Sequence, residues 1–331
     1  MKRHGNTISH RFFAVGLIAA LLFSVAASAS EVKRPDGYPA KTIEWIVPAG
    51  AGAVLDLYTR GINAELDLGK PLAIRNIAGG SQTIGLMELA GKRPDGLSIG
   101  IAAFAGIVIQ PLLVDVTYDL DSFRPVALSS GPNQYSVCVR AGSDIDGYEK
   151  LLEAIKNRNV VHWTSHNAGS PAHLAGLYYL KTLDAKNCEY VSYNGTAEAL
   201  TALISGDVDF LVTDDSIVAT REKDKQVVAL ITLSDRRSEV LPHIPAVEEF
   251  GVKGMGAFDA FSWVVVPAKT PDNIYNYIKQ EVDKAVTSES YQDFLKKNNI
   301  VEMKKYSEQE MKDMIAASRK TISAVIELLG E

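Results

Sequence analysis

Short apolar runs alternate along the chain with stretches in which apolar residues return every three or four positions. The runs fall at 43–47, 72–75, 97–102, 135–140, 160–163, 190–193, 208–213, 227–232 and 262–267. They are rich in β-branched and aromatic residues and read as strands, with helical patterns between most of them. That alternation predicts an α/β architecture with largely parallel sheets. Leu55, Tyr58, Ile62 and Leu66 lie on one face of the first helix.

Several helix starts carry their own signals. Asp146 with Glu149 resembles a capping box ahead of Leu151, Leu152 and Ile155. Ser170-Pro171 reads as cap and first helical residue, and Thr270-Pro271 repeats the signal. Ser307 with Glu310 opens a long amphipathic helix, and Gly206 closes one that begins with Thr196 as its cap. There is no repeat, low-complexity tract or long linker. Domains must therefore be joined by short crossovers, near 134–140 and 225–232.

The N-terminus has a different pattern. Lys2, Arg3 and Arg11 precede an apolar run of about 15 residues, Phe12 to Ala26, and Ala27-Ser28-Ala29 follows as an A-x-A site. The run is short for a membrane span. We expect residues 1–29 to be a signal peptide and Ser30 to begin an exported, periplasmic chain; an uncleaved anchor is the other reading. About 300 mature residues suggest two domains.

Formal charge is −6, and loss of the three leader cations takes it to −9. That argues against nucleic acid and anionic membranes as partners. An acidic ligand would need a local site. Cys138 and Cys188 are the two cysteines; an oxidising compartment allows a disulfide, and two buried thiols are the other reading.

Three strand-to-helix loops are candidates for chemistry. The first, Pro48 to Asp56, places small residues where a ligand can approach backbone N–H groups at a helix start, a setting suited to an anion. It contains Gly50 and Gly52, but Leu55 stands where a dinucleotide fingerprint needs glycine. A tight turn without ligand is the bland alternative. The second, Trp163 to His173, offers Ser165, Asn167 and Ser170 side chains and the amides after Gly169. His166 and His173 invite metal or catalytic readings, yet no G-x-S-x-G or H-E-x-x-H surrounds them; His173 fits a structural hydrogen bond better. The third, Asn76 to Gly85, has a Gly79-Gly80 pair that turn chemistry alone would explain. Asp214-Asp215 is a weak cation signal and more often a helix start. No metal or cofactor is expected.

In this order, the loops resemble those of the periplasmic substrate-binding proteins of tripartite tricarboxylate transporters, the TctC or Bug family. Pro48 to Asp56 aligns with the family's P-x-x-P-G-G-x-x-D loop. Pro94-Asp95-Gly96 matches P-D-G-Y with Leu97 for Tyr. Tyr118-Asp119, Phe123 and Pro125-Val126 match Y-D-x-x-x-D-F-x-P-V. Ser165, Gly169, Ser170, His173 and Leu174 match G-S-x-G-x-G-S-x-x-H-L. Tyr193 and Gly195 match its Y-x-G helix start, and Arg237 to Gly251 its R-S-x-x-L-P-x-V-P-T-x-x-E-x-G.

The resemblance implies a two-lobed periplasmic-binding-protein (type II, clamshell) fold, each lobe a mostly parallel sheet flanked by helices. Residues 30–134 would form the first part of lobe 1 and 135–226 lobe 2. Residues 227–331 would return to lobe 1, the packing of the C-terminal helices being left open. The implied function is capture of a small organic carboxylate for delivery to a permease of one large and one small membrane subunit, by a monomer that is no enzyme. The ligand would be lined by Ala49, Gly50, Gly52, Ala53, Val54, Leu55 and Asp56, by Gly80 and Gln82, by Ser165, His166, Asn167, Ala168, Gly169 and Ser170, and by Tyr193 and Asp214. Its carboxylate would take amides from Gly52, Ala53, Gly169 and Ser170, while Asp56 braces the first loop. Departures from the family pattern are Ala53 for a glycine, apolar Val54 and Leu55, bulky His166, Thr164 and Asn167 for glycines, and Ser81-Gln82 for two glycines. They imply an altered far end of the pocket and a ligand less polar than citrate. A sensor that presents its closed form to a receptor, or an enzyme on the same fold, are the rival readings.

Overall fold

The computed structural model describes residues 31–330; the predicted leader and its cut lie outside them. In chain order the first half forms β1 (Ile43–Val47), α1 (Val54–Glu65), β2 (Leu72–Asn76), α2 (Thr83–Ala90), β3 (Ser98–Ala103), α3 (Gln110–Leu113), β4 (Phe123–Asn133), β5 (Tyr135–Arg140), α4 (Tyr148–Asn157) and β6 (Val161–Thr164). There follow α5 (Pro171–Thr182), β7 (Cys188–Tyr190), α6 (Thr196–Ser205), β8 (Phe210–Asp214), α7 (Asp215–Lys223), β9 (Val227–Thr232), β10 (Ala260–Pro267), α8 (Asp272–Val286), α9 (Glu289–Lys297) and α10 (Glu308–Leu329).

Two five-stranded sheets share one plan. Their orders are β2-β1-β3-β10-β4 and β7-β6-β8-β5-β9. In each, four strands run one way and one runs against them: β10 between β3 and β4, and β5 between β8 and β9. The sheets are therefore mixed. The reversed strand is the one the chain supplies on crossing from the other sheet.

That arrangement decides where a site can be. β4 leaves the first sheet at Asn133 and β5 opens in the second at Tyr135. Because β5 and β10 run against their neighbours, their starts lie beside their neighbours' carboxyl ends. Tyr135 pairs with Asp214, Ala260 with Asn133, and Ser262 with Ala103. Both crossovers thus sit at the carboxyl ends of the parallel strands, where open α/β sheets form their ligand crevice.

The second sheet extends to Thr232, beyond the expected boundary at 226, because β9 is its edge strand; the return runs through residues 233–259. α8 and α9 pack on β4 and α1 of the first lobe. α10 touches both lobes, through β4 and α5, and the Lys181 ammonium donates to the Leu328 carbonyl.

Two strands depart from expectation. β4 is not among the strands the pattern predicts; Pro125 and Ser129-Ser130-Gly131-Pro132 interrupt its apolar residues. As an edge strand with irregular register against β10, it tolerates them. β7 ends at Tyr190, where a strand was expected to begin. Two caps also differ. Asp146 pairs with Lys150 at 2.7 Å and leaves Gly147 as the α4 cap; Thr270 donates to the Pro267 carbonyl at 2.7 Å, and Pro271 caps α8. The Ser170 and Ser307 caps and the left-handed Gly206 form as read.

All three tryptophans are fully buried, on β1, β6 and β10. Trp163 stacks on Phe210, and α5 reaches it through Gly176, where an added Cβ would lie 2.4 Å from the indole ring. Cys138 and Cys188 are free thiols. They lie on β5 and β7 with two strands between, roughly 14 Å at sheet spacing, beyond disulfide reach.

Candidate functional site

The loop after β1 is fixed from its own helix. Asp56 is buried one turn into α1. Its Oδ2 accepts from the Gly52 amide and from Arg60 Nε, both at 2.8 Å, and its Oδ1 from Asn76 Nδ2 at 3.0 Å. The same Asn76 nitrogen donates to the Ala49 carbonyl at 3.1 Å. One carboxylate thus ties loop, helix and the end of β2 together. The Arg60 hydrogen bond above all holds its pKa down at about 2, against burial that would raise it; the Gly52 and Asn76 donors add to the lowering. Asp56 braces the loop and, being an ionised acceptor, offers an anion no donor.

Ala53 occupies the cap position of α1 and its side chain caps nothing. Among the described residues nothing accepts from the amides of Val54 and Leu55, which open the helix with its partial positive charge. The four amides expected to hold a carboxylate are engaged within the protein. Gly52 donates to Asp56, Ala53 to the Gly50 carbonyl at 3.1 Å, Gly169 to His173 Nδ1 at 3.1 Å and Ser170 to the Asn167 carbonyl at 3.2 Å. Donors at the first loop are therefore found one and two residues further on.

After β2, Gly80, Ser81 and Gln82 all take positive φ, 56°, 49° and 86°. Two of these are not glycine, and such a conformation strains a side chain. Gln82 gains a compensating bond: its Oε1 accepts from the Ala103 amide at 2.9 Å, tying the loop to the end of β3.

The loop after β6 is built around two histidines with opposite electrostatics. Burial pushes the His173 pKa down to about 4. Its neutral ring stacks on Trp163 and accepts the Gly169 amide, so it is the structural residue expected. Ser170 Oγ caps α5 by accepting the His173 amide at 3.2 Å. Ser165 is fully buried with its hydroxyl 3.2 Å from the Tyr190 hydroxyl. Asn167 and Ala168 are the exposed tip.

His166 points back to the second sheet. Its Nε2 lies 2.9 Å from both Thr213 Oγ1 and Asp214 Oδ2. Burial alone would lower its pKa, but the charge and hydrogen bond of Asp214 outweigh that and raise it. Asp214 sits at the cap position of α7 yet caps nothing there. Its neighbour Asp215 turns inward, accepting from Ser136 Oγ at 2.6 Å; burial raises it to about 6 despite Ser136 and Ser238. Asp259, across the second crossover, is raised by burial to about 7 although Arg236 and Ser234 oppose the shift. Tyr193 packs on the core beneath α6, and Thr196, read as the cap of α6, is its first residue behind Gly195.

The expected residues therefore follow the carboxyl ends of β1, β2, β6, β7 and β8. Beside them an open cleft of about 330 Å³ lies between α1, α7 and α9. Val54 and Asp214 line it, and so do Asn133, Arg221 and Phe294, which sequence reasoning missed.

Residues 60–330 match the model of the tripartite tricarboxylate transporter family receptor. The protein of the tcbD–tcbE intergenic region in Pseudomonas sp. (strain P51) is 28% identical over 293 residues, 86% of this chain and 85% of that protein. A TctC solute-binding protein from Polaromonas superposes with TM-score 0.75 at 22% identity, over 88% of this chain and 99% of that one. R. palustris Rpa4515, solved with adipate, gives TM-score 0.73 at 22% identity over 88% and 98%. These likenesses show the two-lobed binding-protein fold.

Proposed function

The chain belongs to the tripartite tricarboxylate transporter receptor family, and on that premise we propose that it is an exported solute-binding protein. It captures a small organic carboxylate between its lobes as a monomer and delivers it to a permease of one large and one small membrane subunit. The observation that carries this reading is that strand ends of both sheets, those of β3, β4 and β8, lie beside the crossovers that start β10 and β5. A ligand there touches both lobes, and closure about the crossovers encloses it. The α1 start, with its Val54 and Leu55 amides, supplies donors for an anion without a buried cation. Rpa4515 holds adipate on the same fold, which supports an acid as the solute class. The Ser-Gly loop contributes shape and, through waters, hydrogen bonds. In this reading the solute is bound and released unchanged, since His173 and Ser170 are occupied with structural bonds.

Mass spectrometry of the small molecule that copurifies with the periplasmic protein, followed by calorimetry with that compound, tests the reading. A carboxylate that binds one to one is the expected result. Neutral sugars or cationic amines as the sole ligands overturn it.

A further inference from the structure

The first lobe is shaped around one strained side chain. Gln82 keeps a φ of 86° beside Ser81 at 49°, and strain of this kind clusters at ligand clamps. Its loop follows β2, and β1 stands between β2 and β3. Gln82 Oε1 nevertheless accepts from the Ala103 amide, at the end of β3, at 2.9 Å. Loop and side chain together span two strand spacings, about 10 Å, over the carboxyl end of β1. Gly106 makes room for them: an added Cβ there would lie 2.7 Å from Gln82 Oε1 and 2.9 Å from Gln82 Cβ. Gly106 belongs to a π-helical turn, Ala105–Ile109, and its carbonyl accepts from the buried Tyr118 hydroxyl at 2.6 Å. Such turns recur at functional sites.

The Ala103 bond also fixes which way the amide faces. A backbone N–H can only donate, so the oxygen of Gln82 meets Ala103 and the nitrogen faces away. Gln82 is half-buried. Among the described residues nothing accepts from its Nε2, and that atom is open to solvent rather than sealed in the core. We propose that Gln82 is a specificity-determining residue whose Nε2 donates to an oxygen of the bound solute over the end of β1. The contact selects an acceptor at that place, because an ammonium or amide donor of the solute would meet the Nε2 hydrogens. The proposal deepens the carboxylate reading above and rests on it for an anionic solute.

Two variants separate this contact from the bond to Ala103. Gln82→Glu keeps an oxygen for the Ala103 amide and replaces the donor with a second carboxylate oxygen. Gln82→Met removes both at similar length. Thermal shift of wild-type protein with lactate, succinate, malate, adipate and benzoate picks the acid for calorimetry. At pH 8 that acid should bind Gln82→Met about fivefold more weakly than wild type and Gln82→Glu at least about thirtyfold more weakly. At pH 5 a glutamate beside a bound anion takes up a proton, and its deficit against wild type should shrink towards that of Gln82→Met. Gln82→Glu binding as tightly as Gln82→Met at pH 8, or with a deficit that pH leaves unchanged, overturns the assignment while the carboxylate reading stands. Should the glutamate variant not fold, wild-type affinity in Gln82→Met overturns it instead. No stabilisation of folded wild-type protein by any of the five acids removes the carboxylate reading, and this one with it.

Discussion

His166 Nε2 lies 2.9 Å from Asp214 Oδ2, and this bond takes from α7 the side chain best placed to cap it. Aspartate at a helix cap ordinarily accepts the first free amides. Here the carboxylate reaches sideways to the loop after β6. The pair joins two strand ends of the second lobe at the mouth of the crevice.

The first prediction follows from the opposed causes at His166. Burial lowers its pKa and Asp214 raises it, with a net rise. A raised histidine contributes stability that is fully present below the unfolded value of about 6.5 and is lost as pH rises through the folded value. Asp214→Asn removes the raising cause and leaves burial unopposed. The His166 midpoint, followed by NMR, should then fall below about 6.5. A midpoint unchanged from wild type would show that Asp214 does not set the charge of this ring.

A second pH effect has the same sense in a different group. Asp215 and Asp259 are buried at the crossovers with pKa values raised to about 6 and about 7. A carboxyl raised on folding binds its proton more tightly in the folded state. Its stabilising contribution is therefore complete below about pH 4 and is lost as pH rises from there to the folded pKa. Asp259→Asn should leave stability at pH 4 nearly unchanged and raise it at pH 8, by on the order of 4 kcal/mol. Urea melts at the two pH values measure this. An equal change at both would trace the effect to packing rather than to ionisation.

Gly176 tests the packing that holds the Ser-Gly loop in place. An added Cβ would meet Trp163 Cζ3 at 2.4 Å. The indole is pinned between Phe210 and His173, so it has little room to retreat. Gly176→Ala gains helix propensity of about 1 kcal/mol against overpacking of about 1–3 kcal/mol. A net loss is expected, read as a lower melting temperature. A variant as stable as wild type would show that α5 can slide on the sheet.

Strand positions were legible where one apolar run met one strand. Ile43–Val47 and Tyr135–Arg140 formed with the bounds read from the chain. β4 was hidden because Pro125 and Pro132 are tolerated only by virtue of its edge position and irregular pairing, and those are tertiary facts. The loops of the site were legible because small residues between a strand and a helix leave a local pattern. Which amides remain available was not. That depended on Asp56 and His173 folding back onto Gly52 and Gly169, bonds set by side-chain direction. Nor could the chain announce Arg221 or Phe294, which reach the cleft from helices far apart in sequence.

The last prediction concerns Gly169, whose φ is +72° and whose nearest neighbour to an added Cβ is Leu113 Cδ1 at 3.9 Å, on α3 of the other lobe. There is room for a side chain, but the backbone is left-handed. Gly169→Val therefore does two things: it strains the turn, and it puts a branched side chain where the lobes close on a ligand. Asparagine tolerates left-handed φ far better than valine while still adding bulk. If the solute or the closing α3 needs the space, both variants should lose carboxylate affinity by at least about tenfold, equivalent to roughly 1.4 kcal/mol. If only the turn matters, Gly169→Asn should bind as wild type does and Gly169→Val alone should fail. Thermal melts without ligand separate the cases further. Strain lowers the melting temperature of the valine variant by itself, whereas a blocked crevice weakens binding in a protein of normal stability. Wild-type affinity in both folded variants would place the ligand away from this loop and shift the anchoring of the solute to α1 and its braced turn.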